Sequence, residues 1–180
     1  QLTGPVAVGN RVVCNTTAVE LGLGTGGWHV VHWNLAREAW SEPGPGHIMK
    51  LRYTSLQADT GAGEEQHPDV PATLDDTPVV VCTVHSQVPP VVVAALDGRP
   101  GTRIAYVMTD GAALPIAFSD LTATMVEREL LVGTVTAGHA FGGDLEAVNV
   151  ASALVLARHV FAADLIVVGM GPGVVGTGTT

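Results

Sequence analysis

Four short apolar runs in the second half of the chain constrain its fold more than any other feature. They cover residues 79–84, 103–109, 134–138 and 164–169, and each ends at small or chemically reactive residues. Continuous apolar runs of this length are typical of parallel strands, which are buried on both faces and joined by right-handed crossovers. The pattern therefore predicts an α/β fold, with a three-layer domain built on a mostly parallel sheet.

Helices are predicted in the three segments that separate these strands. Proline suits the first turn of a helix, so a short helix is expected over residues 89–96. Apolar residues at helical spacing predict a longer helix over residues 114–131. A broad apolar face predicts a third helix over residues 144–161, which we expect to be deeply buried.

The first half of the chain lacks a helical period and is predicted to form a small β-module over residues 1–57. Glycine-rich turns separate its strand-like segments, the last of which covers residues 47–53. Residues 58–78 combine Gly, Pro and acidic residues without an apolar period, which predicts a linker. The α/β domain then occupies residues 79–180, and we expect it to be truncated because no helix follows its last strand.

The composition excludes some functions. Seventeen acidic residues against eight basic ones give a formal net charge of −9, which argues against nucleic-acid binding, because that function needs clustered Lys and Arg. No apolar run reaches the ~18 residues of a membrane span, and no signal peptide is visible. Cys14 and Cys82 lie in apolar strand-like runs, as expected for packing residues of a cytoplasmic protein. A homodimer is the expectation from the frequency of oligomeric states.

A binding site is predicted where the four strands end. The carboxyl ends of parallel strands share one edge of the sheet, and ligands bind in the crevice beside that edge. Three residues near the strand ends are the candidate catalytic residues: Asp110, His139 and Asp144. Nine others are the candidate ligand-binding residues: His85, Ser86, Gly111, Gly142, Gly143, Gly171, Gly173, Gly176 and Gly178.

Two glycine-rich segments favour an anionic ligand. Gly142 and Gly143 precede a predicted helix, whose N-terminus would offer N–H groups and a partial positive charge. The alternative is that Asp144 is only the N-cap of that helix. Residues 171–178 follow an apolar strand, as phosphate-binding loops do, but match neither the Walker A pattern nor GxGxxG. Their alternative is a flexible tail.

Carboxylates and imidazoles at one edge also suit acid–base or metal chemistry. Asp110, His139 and Asp144 would meet there, with Glu146 as a further candidate, and such side chains bind hard to borderline metals. Their spacing matches no recognised metal motif, so neither a metal nor a cofactor is assigned. Ser86 is not part of a G-x-S-x-G motif, and a histidine at a strand end is otherwise a hydrogen-bonded structural residue.

Five segments of the chain together resemble a bacterial family, the domain-of-unknown-function 3866 family. The resemblance covers nearly the whole chain and is weakest in the predicted linker. It implies longer relatives at both ends and brings no activity, cofactor or catalytic residue. The segments are NTTAVELGLGTGG (15–27), GPGHIMKLRYTSLQ (44–57), AYVMTDGAALPIAFS (105–119), GHAFGGDLEAVN (138–149) and GMGPGVVGTGT (169–179).

Two functional hypotheses follow from these patterns. In the first, the protein is an enzyme that binds a small anionic metabolite, such as a phosphorylated one, at the carboxyl edge of the sheet. In the second, it is a non-catalytic module that senses a ligand or binds a partner, which explains why no standard catalytic motif is present.

Overall fold

The computed structural model describes residues 3–22, 27–46, 49–109 and 114–173. Within them the strands are β1 (Val12–Asn15), β2 (Val30–Asn34), β3 (Met49–Lys50), β4 (Ala58–Asp59), β5 (Val79–Cys82), β6 (Ile104–Thr109), β7 (Gly133–Ala137), β8 (Leu145–Ala147) and β9 (Leu165–Met170). The α-helices are α1 (Thr17–Glu20), α2 (Gly63–Gln66), α3 (Val88–Gly98), α4 (Asp120–Glu127) and α5 (Val150–His159).

The second half of the chain forms one parallel sheet of five strands in the order β5-β9-β6-β7-β8. The two central strands, β6 and β9, pair along their whole length, from Ile104 beside Leu165 to Thr109 beside Met170. Consecutive residues from Ile104 to Met108 are completely buried. The continuous apolar runs therefore form the parallel sheet that the sequence predicts.

Helices cover both faces of this sheet. On one face, Val88 and Val92 of α3 and Met125 of α4 pack in one cluster with Tyr106 and Val167. On the opposite face, Ala153 and Leu156 of α5 pack in a second cluster with side chains of β6, β7 and β9. Because successive strand residues point to opposite faces, each central strand contributes to both clusters. The three-layer α/β architecture is confirmed.

The edge strand β5 differs from the prediction that each run is buried on both faces. Val81 is 71 % exposed and Val80 is 36 % exposed, while Cys82 is buried. The reason is position, because β5 pairs only with β9 and so forms one edge of the sheet. The apolar run predicts a strand correctly, but its place in the sheet decides its burial.

The predicted helix over residues 144–161 is wrong in its first third. Leu145–Ala147 forms strand β8, which pairs with β7. Leu145 and Ala147 are buried on either side of the less buried Glu146, which is the period of a strand. Helix α5 begins at Val150, where Asn149 is the N-cap and its side-chain oxygen accepts the Ser152 N–H at 3.0 Å.

The predicted helix over residues 114–131 is shorter than expected. Ile116–Phe118 forms a 3₁₀ turn, and α4 begins only after Ser119, whose side chain caps it. The helix ends at Glu127, and Glu129 has a φ of 55°, which an α-helix does not allow. Apolar spacing alone does not show either of these boundaries.

In the described residues of the first half, two antiparallel strand pairs are present, β1 with β2 and β3 with β4. The strand predicted over residues 47–53 is reduced to β3, because Leu51 and Tyr53 take the left-handed φ values of 50° and 60°. Residues 47–48 lie outside the described residues.

The segment predicted as a linker, residues 58–78, contains β4 and α2. A Cβ on Gly63 of α2 would lie 2.7 Å from Leu156 Cδ1, so this helix packs closely on α5. His159 of α5 also contacts the Thr73 carbonyl through Nε2, at 2.7 Å. The segment thus covers part of the sheet domain, and the division of the chain at residues 57 and 78 stays a prediction.

Candidate functional site

His85 lies at the carboxyl end of the sheet, in a 3₁₀ turn that follows β5. Its Nδ1 is 3.1 Å from the Met170 carbonyl oxygen and 3.3 Å from the Tyr106 hydroxyl. Its Nε2 is 2.6 Å from Ser119 Oγ. Because a carbonyl oxygen can only accept, the network assigns the ring proton to Nδ1 and makes Nε2 the acceptor of the Ser119 hydroxyl proton.

The groups around His85 are buried and uncharged. Burial lowers the pKa of His85, and the hydrogen bond to the Met170 carbonyl opposes this in part. Burial also raises the pKa of Tyr106, so its phenol stays protonated. Ser119 is 3 % exposed, and its Oγ accepts the Thr122 N–H at 2.9 Å and lies 2.8 Å from Thr122 Oγ1. We call His85, Tyr106, Ser119, Thr122 and Met170 the His85 cluster.

The sequence predicts His85 as a site residue but not Ser119. It predicts Ser86 instead, the neighbour of His85 in the chain, and Ser86 is exposed in the structure. Ser119 is 34 residues from His85 and reaches it only through the fold. A serine just before an apolar helical period is typical of an N-cap, so the sequence could have predicted that Ser119 starts a helix. It could not have predicted the contact with His85.

A second polar cluster lies beside β7 and β8. Lys50 of β3 is 2 % exposed, donates to the Gly138 carbonyl, and places Nζ 3.7 Å from Glu146 Oε2. Glu146 also accepts Thr136 Oγ1 at 2.8 Å and the Gly142 N–H. We call Lys50, Thr136, Gly138, Gly142 and Glu146 the Lys50 cluster.

Burial raises the pKa of Glu146 despite these partners. The hydrogen bonds from Gly142 and Thr136 and the charge of Lys50 act in the opposite direction and lower it. Both side chains of the ion pair are shielded, at 1 % exposure for Lys50 and 12 % for Glu146. The first half of the chain thus contributes a buried, positively charged side chain, Lys50, to the sheet domain.

The predicted site around Gly142, Gly143 and Asp144 has a different geometry from the one expected. These residues precede strand β8, so no helix N-terminus lies behind them. The Gly143 N–H donates to Thr136 Oγ1 at 3.1 Å, and the Gly142 N–H donates to Glu146. The backbone donors expected to hold an anion are therefore used within the protein.

Asp144 and His139 do not converge. The Asp144 carboxylate accepts the N–H and the hydroxyl of Thr134, at 2.8 and 2.9 Å, and Thr134 lies at the amino end of β7. His139 follows the carboxyl end of β7, where its Nε2 accepts from Arg52 at 2.7 Å. The two positions differ by about 13 Å along the strand. The loop turns back because β8 runs parallel to β7 and must start at the same end.

The remaining candidates divide between described and undescribed residues. Gly171 is buried, and a Cβ there would lie 3.2 Å from Met108 Sδ, while Gly173 has a φ of +87°. A side chain at position 171 would press on Met108, and one at position 173 would strain the backbone, so each glycine also has a structural reason. Four predicted site residues lie outside the described residues: Asp110, Gly111, Gly176 and Gly178.

An open groove of about 360 Å³ runs beside α4. One wall is the helix together with the 3₁₀ turn before it, and the other is formed by Thr134, Gly142 and Asp144. Apolar side chains dominate the helix side, and two carboxylates lie in the lining. The complete lining is Ile116, Ala117, Thr122, Ala123, Val126, Glu127, Thr134, Gly142 and Asp144.

Within the described part of the chain, no three His, Cys, Asp or Glu side chains are grouped so that they could hold a metal ion. Helices there are all too short or too polar to cross a membrane.

A protein-family model matches the chain over residues 1–180. The chain belongs to the DUF3866 family. This confirms the resemblance that the five sequence segments indicate, and the family is described as proteins of unknown function. Comparison of this DUF3866 chain with curated proteins and with solved structures found no match. The site must therefore be interpreted from its own geometry.

Proposed function

We propose that this DUF3866 protein is an enzyme that binds a small anionic metabolite, such as a phosphorylated one, at the carboxyl edge of its parallel sheet. The observation that carries the proposal is a group of basic side chains at the carboxyl end of β7. Lys50 contacts Gly138, and Arg52 contacts His139, both at this end of the strand. Two of the eight Lys and Arg residues of an acidic chain thus meet there.

The chemistry of this group favours an anion over other ligands. Arg52 and His139 are exposed, while Lys50 is buried behind them. A planar guanidinium can donate two parallel hydrogen bonds to a phosphate or a carboxylate. Because Glu146 pairs with Lys50, the exposed Arg52 supplies the positive potential at this strand end, where ligands of α/β sheets bind.

The acid–base part of the proposal rests on histidine. His85 supports it, because its lowered pKa keeps the imidazole neutral and able to accept a proton near pH 7. The catalytic roles expected for Asp110, His139 and Asp144 stay predictions. Asp144 is the weakest of them, because it lies at the opposite end of β7 from His139.

The test is a thermal-shift titration of the protein with inorganic phosphate, adenosine monophosphate and glucose 6-phosphate. A ligand at about 100 times its Kd should stabilise the protein by about 2.7 kcal/mol. We expect stabilisation by at least one compound, its loss in Arg52→Ala and its persistence in Arg99→Ala. Arg99 is the matched control, because it is exposed and follows the end of α3. No stabilisation of the wild type, or equal loss in both variants, would overturn the proposal.

The edge strand favours a second candidate, a partner-binding module in which β5 pairs with a second copy of the chain. Val81 is 71 % exposed on β5, and Val93 of the neighbouring α3 is 54 % exposed. An exposed apolar edge is a ready template for pairing with another strand. Analytical ultracentrifugation should then show a wild-type dimer that Val81→Lys converts to a monomer. A monomeric wild type at high concentration would exclude this candidate.

A further inference from the structure

We propose that Ser119 is a nucleophile activated by His85, and that it accepts the acyl group of a small carboxylic ester bound in the groove beside α4. The inference rests on the proposed function in placing an enzyme active site at the carboxyl edge. To the proposed function it adds the class of reaction, which is acyl transfer, and the attacking atom, which is Ser119 Oγ. It also adds the chemical nature of the acyl group of the substrate.

The arrangement has the three parts that an activated serine requires. Ser119 Oγ is 2.6 Å from His85 Nε2, so the base is within reach of the hydroxyl proton. His85 Nδ1 is 3.1 Å from the Met170 carbonyl oxygen, which fixes the ring orientation and the tautomer. A hydrogen-bonded carbonyl here takes the place that a carboxylate has in a Ser-His-Asp triad.

Because Ser119 lies just before α4, backbone N–H donors are close to the ester carbonyl oxygen, on which negative charge develops during the attack. Ser119 is the N-cap of this eight-residue helix. An α-helix leaves the N–H groups of its first turn without intrahelical partners, and here these belong to Asp120 and Leu121 next to the serine. Backbone N–H groups beside a nucleophile are the usual donors to the oxyanion formed in acyl transfer.

The groove shows where the acyl group would lie. Thr122 lines the groove, and Thr122 Oγ1 is 2.8 Å from Ser119 Oγ, so one side chain separates the groove from the serine. Rotation of the Thr122 side chain would open the groove to Ser119 Oγ. Ile116, Ala123 and Val126 make the helix side of the groove apolar. Glu127 and Asp144 contribute negative charge to the lining, which disfavours an anionic acyl group. The acyl group is therefore small, uncharged and apolar.

The reaction balances with these residues and water. Ser119 Oγ attacks the carbonyl carbon of the ester while its proton moves to His85 Nε2. The bond between that carbon and the alkoxy oxygen breaks, and His85 returns the proton to the leaving alcohol. Water then attacks the acyl-serine, gives a proton to His85, and releases a carboxylic acid as the proton returns to Ser119 Oγ.

The test is covalent labelling with an alkyl fluorophosphonate, followed by intact-protein mass spectrometry and peptide mapping. The Ser119 oxygen bonds to phosphorus, the P–F bond breaks, and fluoride leaves with the serine proton. We expect one adduct, mapped to Ser119, which is absent in Ser119→Ala and present at the wild-type rate in Ser41→Ala, a change at an exposed serine outside the candidate site. His85→Gln should slow labelling by about 100-fold or more.

Two further measurements separate chemistry from folding. Ser119→Gly also removes the hydroxyl, but glycine is well tolerated as an N-cap residue, so this variant should fold and remain unlabelled. The wild-type labelling rate should fall on acidification with an apparent pKa below 6.5, because His85 must be neutral. A missing adduct, an adduct that persists in Ser119→Gly, or a wild-type rate in His85→Gln would overturn the inference. A protein that binds phosphate compounds through Arg52 but takes no label would refute this inference alone, whereas a labelled protein that binds none would refute the anion proposal alone.

Discussion

The His85 cluster and the Lys50 cluster lie near the same edge of the sheet but are built in opposite ways. The His85 cluster is neutral, and all its members come from the sheet domain. The Lys50 cluster contains a buried ion pair whose positive member comes from β3, in the first half of the chain. A buried ion pair must be matched by its surroundings, whereas a neutral network needs only its hydrogen bonds.

This difference indicates different roles. The Lys50 cluster joins distant parts of the chain, and any change in it leaves a charge buried without its partner. The His85 cluster leaves a neutral imidazole hydrogen-bonded to a hydroxyl, which is the state that a general base requires. We therefore expect changes in the Lys50 cluster to affect mainly stability and changes in the His85 cluster to affect mainly chemistry.

The largest effect is expected for Lys50→Met. This variant keeps an apolar stem of similar length but leaves Glu146 without its cation, and breaking a buried pair in this way costs about 3–5 kcal/mol. Urea denaturation followed by circular dichroism measures the change in the free energy of unfolding. Arg99→Met, at an exposed position, is the control and should change it by less than about 0.5 kcal/mol. A loss below about 1 kcal/mol in Lys50→Met would show that the pair contributes little.

A matched pair of threonine variants should give smaller, unequal effects. Thr136 donates to the Glu146 carboxylate, and hydrogen bonds to charged groups contribute about 1.5–3 kcal/mol, so Thr136→Val should lose about that much. Thr122 Oγ1 is hydrogen-bonded to the neutral Ser119 hydroxyl, and Thr122→Val should lose about 0.5–1.5 kcal/mol. Denaturation of both under the same conditions compares them directly, and equal losses would contradict the contrast between the clusters.

Glu146 and His85 should make the stability of the protein depend on pH in opposite directions: stability falls with rising pH because of Glu146 and with falling pH because of His85. Burial raises the pKa of Glu146 above its usual 4.5, so the folded protein binds this proton more tightly than the unfolded chain. Its contribution is present below pH 4.5 and is lost as the pH rises through the folded-state pKa. Glu146→Gln should remove this downward slope in denaturation curves measured from pH 4.5 upward. The exposed Glu38→Gln should keep it, and a slope unchanged in Glu146→Gln would contradict the assignment.

His85 should give the reverse slope. Its pKa is lowered from 6.5 by burial, so the unfolded chain binds the proton more tightly. Stability is therefore retained above pH 6.5 and falls as the pH decreases toward the folded-state pKa. The difference in Tm between pH 8 and pH 5 should be smaller in His85→Gln than in the wild type. His29→Gln, at an exposed position, should leave that difference as it is. An unchanged difference in His85→Gln would mean that His85 is not buried as a neutral group.

Most of the sheet could be predicted from the chain, but much of the candidate site could not. Strands β6, β7 and β9 match their apolar runs within one or two residues, because burial on both faces leaves a local signature. Strand β8 has only three residues and was hidden within a longer apolar pattern. Its parallel direction turns the preceding loop back, so Asp144 lies at the amino end of β7. Adjacency in sequence could not show that reversal.

The α/β class, the parallel strands and the edge at which His85 lies can all be inferred from the chain alone, because they depend on local periodicity and on the shared direction of parallel strands. The contacts of Ser119 with His85 and of Lys50 with Glu146 are visible only in the folded protein. Those contacts join residues far apart in the chain, and they form because the buried groups must find hydrogen-bond or charge partners once the packed sheet excludes water.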